Sequence, residues 1–413
     1  MSTFKQAEHS LLVIPGPVEV HDDVLLANAH PSMSHVSPVF APVFGSCIKR
    51  MRQVLFTQTG QPFIIAGSGT LGWDLVAANL VEPGQKALVL NSGYFGDAQV
   101  ALCYSRQELP SQLLTSSAFS FADCLETYGA KVDQIRAPVG GRPSLDEVEA
   151  ALKKDKYAVL TFTHVDTSTG VLSDAKAIGE LVQRVSPETL VVLDGVCSVA
   201  SEEIRFDDWH MDVVVGASQK GLSTPAGLSI TCVSKKALTV LDNRKAPVGS
   251  YFASYKRWLP IMQSYEAGAP QYFATPPVNL IYALDASLKQ ILEGRVSLEE
   301  RFKLHREASK KFKAAVTKLG FKQVALNPEE AANGMTAVYV PEGVAPPALI
   351  KALSERGIVI AGGLHKDIKA KYVRFGHMGV SVTSDPAERN DLETLIKGVE
   401  SAFAEVSGGQ KSV

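Results

Sequence analysis

The chain has 413 residues, of which 46% are hydrophobic and 20% are charged, and its formal net charge is -2 at pH 7. This length is enough for two domains with sizeable cores. The balanced charge excludes a basic surface for nucleic acid or an anionic membrane, and no apolar run reaches the roughly 18 residues that a bilayer span requires. We therefore expect neither a nucleic-acid partner nor a membrane.

The five cysteines, Cys47, Cys103, Cys124, Cys197 and Cys232, are scattered and form no Cys-x-x-Cys pair. This pattern predicts neither a disulfide framework nor a metal site. The chain starts without an arginine-rich stretch and ends in KSV rather than in the peroxisomal tripeptide SKL. A cytoplasmic location is the expectation, with a peroxisomal or mitochondrial one left open.

In chain order, a short apolar run ends in Pro15, Gly16 and Pro17, which cannot be helical. Apolar spacing then predicts a helix over residues 38–56, a strand over 62–66 and a helix over 73–81.

The segment GSGTLG at residues 67–72 lies between this strand and the helix that follows. Taken literally, it is the Gly-x-Gly-x-x-Gly fingerprint of an NAD-dependent oxidoreductase. That fingerprint requires an acid about 20 residues on, at the end of the next strand. Here the predicted strand over 87–90 ends in Asn91. The acid is missing, which disfavours an NAD site. The segment is still suited to bind a phosphate, through the backbone N–H groups at the helix N-terminus and the Ser68 and Thr70 hydroxyls. A turn without a ligand is the alternative.

Residues 98–120 interrupt the pattern, because Pro110 and a Ser/Thr-rich run at 115–117 break helical spacing. We predict an insertion that loops out. Beyond it, strands and helices alternate, which predicts a mainly parallel sheet with crossover helices. The predicted strands cover 158–162, 190–193, 211–216 and 228–233, and the predicted helices cover 175–185 and 145–152, the latter with a capping box of Ser144 and Glu147.

Two ionisable residues follow neighbouring predicted strands. Asp194 comes directly after the strand over 190–193, and Lys220 ends the turn ASQK after the strand over 211–216. We place them one strand–helix–strand step apart, so that both can point into one crevice at the carboxyl ends of the strands. A neutral, desolvated lysine is what an aldehyde cofactor requires, and a surface loop is the alternative for Lys220. A phosphate site, an acid and a lysine together predict a pyridoxal phosphate site.

The C-terminal part is predicted to form a second domain. The segment QYFATPP at 271–277 places Tyr272 and Thr275 in extended backbone, and a long helix over 279–293 is predicted to bridge onward. Arg374 lies in an apolar strand, where its guanidinium needs a ligand or a structural salt bridge. Helices over 298–319 and 347–356 alternate with strands over 336–340 and 358–361. We predict an N-terminal segment at 1–20, a large domain at 21–285 and a small domain at 286–413.

Several segments together resemble the alanine-glyoxylate aminotransferases, in the alanine-glyoxylate and serine-pyruvate branch of the class-V aminotransferases. They are AGSGTLGWD at 66–74, THVDTSTG at 163–170, ASQK at 217–220, YFATPP at 272–277 and AGGLHKD at 361–367. Each motif is weak alone, but their order and spacing span nearly the whole chain. The resemblance implies fold type I of the pyridoxal 5'-phosphate (PLP) enzymes. This is an α/β fold whose large domain has a mainly parallel seven-stranded sheet, beside a smaller C-terminal α/β domain, and the resemblance also implies a homodimer.

The resemblance also implies how the cofactor ring would be held. Lys220 would bind the cofactor covalently, and Asp194 would pair with its pyridine nitrogen. Phe95 would stack on the ring, and Thr167 would contact the ring hydroxyl group.

The remaining implied roles concern the phosphate and the substrate. Arg374 would bind the substrate carboxylate near the backbone of Gly16. Tyr272 and Thr275 would reach the phosphate from the partner subunit. The phosphate ligands within the chain would be Ser68, Gly69, Thr70 and Gln219.

The implied activity is transfer of the amino group of alanine to glyoxylate by a ping-pong mechanism, with small amino acids and 2-oxo acids as substrates. Serine with pyruvate or glyoxylate is the alternative within the family. A cysteine desulfurase of the same fold would need a cysteine late in the chain, whereas the last one is Cys232. The insertion at 98–120 departs from the family pattern. If it blocks the site, the alternative is that the chain is a non-catalytic binding protein.

Overall fold

The computed structural model describes residues 4–96 and 120–408. Its helices are α1 (Asp22–Asn28), α2 (Phe40–Val54), α3 (Thr70–Leu80), α4 (Phe121–Thr127), α5 (Leu145–Lys154), α6 (Ala175–Val185), α7 (Lys235–Asp242), α8 (Tyr255–Glu266), α9 (Val278–Glu293), α10 (Leu298–Lys318), α11 (Pro346–Ser354), α12 (Val380–Thr383) and α13 (Asp391–Ser407). Its strands are β1 (Leu11–Leu12), β2 (Gln61–Ala66), β3 (Lys86–Asn91), β4 (Lys131–Arg136), β5 (Val159–Thr163), β6 (Leu190–Asp194), β7 (Val213–Ala217), β8 (Leu228–Val233), β9 (Lys322–Gln323), β10 (Met335–Tyr339), β11 (Ile358–Val359), β12 (Ala361–Gly362) and β13 (Tyr372–Gly376). The predicted insertion at 98–120 lies outside the described residues except for Ser120, which caps α4. No helix in the two described ranges is long and apolar enough to cross a bilayer.

A seven-stranded sheet has the strand order β2-β8-β7-β6-β5-β3-β4. Neighbours from β7 to β4 pair in parallel, and β8 runs antiparallel to both of its neighbours. The strands β5, β6 and β7 are buried along their whole length, as their runs of apolar residues predict. The predicted mainly parallel sheet of an α/β fold is confirmed, and the carboxyl ends of β5, β6 and β7 lie side by side.

Helices α5 and α3 begin in different ways, since α5 has a side-chain cap and α3 has none. At α5, the Ser144 hydroxyl accepts from the Glu147 N–H and the Glu147 carboxylate accepts from the Ser144 N–H, so the predicted capping box is confirmed. Helix α3 begins at Thr70, so the glycine-rich turn leads directly into it. A Cβ on Gly72 would lie 2.3 Å from the Val215 side chain. This glycine therefore lets α3 rest directly on β7.

The connection from β6 to β7 differs from the prediction. Residues 195–212 form turns and contain no helix, so Asp194 and Lys220 are not separated by a strand–helix–strand step. Ala200 and His210 have φ values of 65° and 56°, which are left-handed and cannot continue an α-helix. The chain still delivers β7 in parallel beside β6, with Asp194 opposite Val215.

A second sheet has four strands in the order β12-β13-β10-β9, and all its neighbours are antiparallel. The single strand predicted over 358–361 is wrong, because β11 pairs in parallel with β1 while β12 joins β13. The N-terminal segment supplies this extra pairing edge, which the pattern of residues 358–361 does not reveal. The predicted domain limits stay predictions.

Gly179 marks a close contact between α6 and the connection that follows Asp194, because a Cβ there would lie 1.9 Å from the Trp209 carbonyl oxygen. We expect Gly179→Ala to lower the free energy of unfolding by about 2 kcal/mol, as overpacking of a filled interior does. Gly398→Ala is the control, since its Cβ would first meet the flexible end of Ile358. Thermal midpoints measure both variants, and equal midpoints would contradict the contact.

Candidate active site

A cavity of about 200 Å³ lies at the carboxyl ends of β5, β6 and β7. Its walls come from the turn before α3, from the residues that follow β3, β5 and β6, and from the turn that follows β7. Its lining residues are Ser68, Gly69, Thr70, Trp73, Phe95, Thr163, Val165, Thr167, Asp194, Val196, Cys197, Gln219 and Lys220.

The turn before α3 offers unpaired backbone donors. Within the described residues, the N–H groups of Ser68, Gly69 and Thr70 have no protein acceptor. They lie at the N-terminus of an 11-residue helix, whose dipole favours an anion. The Gln219 amide adds a buried polar group, since its Oε1 atom has no hydrogen-bond partner and an amide can be turned so that its nitrogen donates. This side of the cavity is suited to a phosphate group.

Asp194 ends β6 and is 5% exposed. Its Oδ1 accepts from the Val196 N–H at 3.0 Å, and its Oδ2 accepts from the Trp73 indole N–H at 2.9 Å. Burial raises the pKa of Asp194 to about 6, although the two hydrogen bonds act in the opposite direction. The carboxyl group is therefore able to hold or release a proton near neutral pH.

Lys220 lies in the turn after β7, and its Nζ donates to the carbonyl oxygen of Pro15. Gly16 lies against the same side chain, because a Cβ on Gly16 would be 2.2 Å from Lys220 Cδ and 2.7 Å from Nζ. Desolvation lowers the pKa of the Lys220 ammonium, and the positive charge of Arg374 lowers it further. Lys220 is half-buried and lines the cavity, so it does not lie in an exposed surface loop, and its role stays a prediction.

Arg374 lies on β13 at the edge of the site. Its Nε donates to the Gly362 carbonyl at 2.8 Å, and its Nη1 donates to the Thr167 carbonyl at 3.1 Å. These partners are backbone carbonyls rather than a carboxylate, so the guanidinium keeps its charge available. Within the described residues, no protein acceptor lies within hydrogen-bonding distance of Nη2. A carboxylate-bearing ligand can therefore be bound next to Thr167.

The structure brings together most of the residues singled out in the sequence. Eight of them line the cavity: Ser68, Gly69, Thr70, Phe95, Thr167, Asp194, Gln219 and Lys220. Gly16 contacts Lys220 and Arg374 contacts Thr167, so both border the cavity without lining it. Tyr272 and Thr275 lie apart, with Tyr272 61% exposed and its hydroxyl 3.4 Å from that of Thr275. The functional role of each residue stays a prediction.

Two contacts at the site were not predicted from the sequence. Trp73 bonds Asp194, and Pro15 accepts from Lys220. A tryptophan in the first turn of a helix after a glycine-rich segment was the available signal for the first contact. The second contact joins residues 205 positions apart through a backbone carbonyl, for which no sequence pattern exists.

Comparison with known proteins places this cavity in context. Residues 23–380 match the family model described as aminotransferase class-V. The chain is 43% identical over 381 residues to alanine–glyoxylate aminotransferase 1 of Saccharomyces cerevisiae, covering 90% of this chain and 92% of that protein. It is 26% identical over 401 residues to a serine–glyoxylate aminotransferase of Arabidopsis thaliana, covering 96% and 90%.

Among solved structures, an alanine–glyoxylate aminotransferase from Nostoc sp. superposes with a TM-score of 0.82 at 26% identity. The match covers 98% of this chain and 97% of that one. The similarity therefore extends over both sheets, not over the cavity alone.

The raised pKa of Asp194 predicts a pH-dependent stability. Between about pH 4 and pH 6 the folded protein holds a proton on Asp194 that the unfolded chain releases, so this group's contribution to stability falls as the pH rises. We expect the unfolding free energy of Asp194→Asn relative to wild type, both without ligand, to increase by about 2 kcal/mol from pH 4 to pH 8.

Urea denaturation at the two pH values measures this difference. Trp73→Phe is the companion variant. It removes the indole N–H that donates to Asp194 Oδ2, so the pKa of Asp194 should rise further and stability should fall more between pH 4 and pH 8. A difference between wild type and Asp194→Asn that does not change with pH would contradict the raised pKa.

Proposed function

The chain belongs to the class-V aminotransferases, and from this premise we propose that it transfers the amino group of alanine to glyoxylate, giving pyruvate and glycine. The observation that carries the proposal is the cavity that joins a desolvated lysine, a buried carboxyl group and a row of unpaired backbone N–H groups. The choice of substrates is supported by the 43% identity to the yeast enzyme.

The residues present fit pyridoxal 5'-phosphate. The unpaired N–H groups of Ser68, Gly69 and Thr70 suit its phosphate, and the otherwise unsatisfied amide of Gln219 lies beside them in the lining. Asp194 suits a ring nitrogen that must carry a proton, and Phe95 offers a flat apolar face. Thr167 would contact the ring hydroxyl, as proposed from the sequence.

When bound, the cofactor supplies an aldehyde that takes up amino groups and a ring that accepts the electron pair left by a departing Cα proton. Lys220 would hold it through Nζ. Because desolvation lowers the pKa of Lys220, its released amine is suited to take up the Cα proton of the donor. Asp194 would keep a proton at the ring nitrogen, since a carboxylate next to a cation stays ionised. Lys220 would thus move the Cα proton, and Asp194 would keep the ring nitrogen protonated.

Arg374 would orient the substrates. Its Nε and Nη1 atoms are anchored on the Gly362 and Thr167 carbonyls, which fixes the plane of the guanidinium. The carboxylate common to alanine, glyoxylate and pyruvate would bind the remaining donors, next to the backbone of Gly16. A fixed carboxylate positions the Cα–H bond toward Lys220.

Serine is the second candidate donor, favoured by the similarity to the serine–glyoxylate aminotransferase of Arabidopsis thaliana. Initial rates with alanine, serine and aspartate at equal concentrations, each with glyoxylate, rank the donors. We expect alanine to give the highest rate.

The oxidoreductase interpretation of residues 67–72 is not needed, because this turn faces Lys220 and Asp194 across one cavity in a class-V aminotransferase. The compartment in which the protein works stays a prediction.

The proposal includes a homodimer. Tyr272 and Thr275 are exposed and lie outside the cavity, although their motif belongs to the family resemblance. Tyr251, which is 69% exposed, lies near Phe273 with ring centroids 5.5 Å apart. Such an exposed aromatic surface is typical of an interface. In the dimer, Tyr272 and Thr275 would reach the partner's phosphate site.

Lys220→Ala is the direct test of the proposed function. The variant should lack the visible absorbance that borohydride bleaches in the cofactor-loaded protein. It should also transaminate at least about 100-fold more slowly, because the general base is gone. Lys236→Ala is the control, since Lys236 bonds Thr189 and Asp212 away from the cavity. Normal turnover by Lys220→Ala would contradict the proposal.

Mixing two inactive variants tests whether the partner subunit completes the site. Lys220→Ala and Tyr272→Ala are expected to be inactive or weak alone. After subunit exchange, half of the dimers would be mixed and each would hold one intact site, so roughly a quarter of wild-type activity should return. If Tyr272 serves its own chain instead, mixing restores nothing. A monomeric mass in light scattering would also reject the dimer.

A further inference from the structure

Arg301 is a buried cation that does not line the cavity. It lies on α10 and is 4% exposed. Its Nε donates to the Ala200 carbonyl and its Nη2 donates to the Gly221 carbonyl, both at 2.7 Å. Burial lowers the pKa of Arg301 to about 10, and no carboxylate in the described part of the chain counters this effect. Burying a guanidinium without a carboxylate partner is costly even when its N–H groups are hydrogen-bonded, so its place needs a reason beyond packing.

The two carbonyls belong to the two segments that carry the reactive groups. Gly221 directly follows Lys220, and Ala200 lies in the connection that follows Asp194. These segments touch, since a Cβ on Gly221 would lie 2.4 Å from the Val199 carbonyl oxygen. Ala200 is held at φ 65°, a strained value for a residue with a side chain. The guanidinium therefore bridges two loops at their point of contact.

Helix α10 also bonds the segment that follows β13, the strand of Arg374, at Gly379 and Thr383. Arg301 Nη1 donates to the Thr383 hydroxyl at 3.2 Å. One turn further, His305 Nδ1 lies 2.7 Å from the Arg301 carbonyl, and His305 Nε2 accepts from the Gly379 N–H at 3.0 Å. These two bonds require a neutral ring with its proton on Nδ1, in agreement with burial, which lowers the pKa of His305 to about 3. The same helix thus contacts both halves of the site.

We propose that Arg301 is a positioning residue, which sets the distance between Lys220 and Asp194 by clamping the carbonyls of Gly221 and Ala200. The proposal rests on the proposed aminotransferase function of those two groups. A planar guanidinium holds two carbonyls at a fixed geometry, whereas the ammonium of a lysine has rotatable donors on a flexible stem and does not fix their directions. Loss of the clamp should lower kcat more than it raises KM, because the substrate carboxylate binds elsewhere, at Arg374.

Arg301→Lys tests the clamp, because it keeps the positive charge and removes the planar guanidinium that bridges the two carbonyls. Arg52→Lys is the control, since Arg52 is half-buried and bonds the Gly60 carbonyl and Glu266, away from the cavity. In the cofactor-loaded protein, Arg301→Lys should lower kcat by about 100-fold, as a misplacement on the order of 1 Å does. It should also shift the midpoint of the pH titration of the cofactor's visible absorbance. Arg52→Lys should change neither.

Hydrogen exchange of the same proteins without added cofactor gives a readout that does not depend on activity. Segments 195–202 and 218–224 should exchange faster in Arg301→Lys than in wild type, and not in Arg52→Lys. If exchange is faster in Arg301→Lys but the cofactor-loaded wild-type protein itself does not transaminate, the positioning role of Arg301 stands and the proposed function is rejected. Unchanged exchange together with an unchanged absorbance midpoint would overturn the clamp.

Gly221→Ala is the second variant, and it keeps the test decisive if Arg301→Lys does not fold. Its Cβ pushes the two loops apart while Arg301 remains in place, so the same shift of the midpoint and the same loss of kcat are expected. If folded Gly221→Ala has the kcat and the absorbance midpoint of wild type, the separation of the two loops does not position the reactive groups, and the proposal is wrong.

Discussion

The structure depends on holding an amine and a carboxyl group out of water at the ends of two neighbouring strands without pairing them with each other. Lys220 donates to the Pro15 carbonyl, while Asp194 accepts from Val196 and Trp73. Desolvation lowers the pKa of Lys220 and raises that of Asp194, so each group is driven toward its neutral form. Environments that push two such pKa values toward the working pH are what proton-transfer chemistry requires.

The rest of the chain is arranged around this pair. Gly72 lets α3 rest on β7, which brings the unpaired N–H groups of the preceding turn to the cavity. The N-terminal segment pairs with β11, and Val13 accepts from the Gly376 N–H, so Pro15 reaches Lys220 from the side of the second sheet. Arg374 joins from the same sheet through Thr167. Both sheets therefore contribute to one site.

The sequence predicts the regular parts of the fold because buried strands and amphipathic helices have clear patterns. The strand β8 and the helix α6 have the predicted limits, and the capping box at Ser144 is confirmed. Residues 195–212 were predicted wrongly, because left-handed residues such as Ala200 carry no compositional signal. At the site, polar residues at strand ends were predictable, whereas the Trp73–Asp194 bond joins residues 121 positions apart. Tyr272 and Thr275 cannot be placed by one chain, since their proposed partner is a second subunit.

The most direct test of the central claim is to locate the covalent attachment point of the cofactor. The protein is loaded with pyridoxal 5'-phosphate, reduced with borohydride, digested and analysed by tandem mass spectrometry. We predict one predominant modified lysine, Lys220. A modification spread over exposed lysines, or one that leaves Lys220 unlabelled, would contradict it.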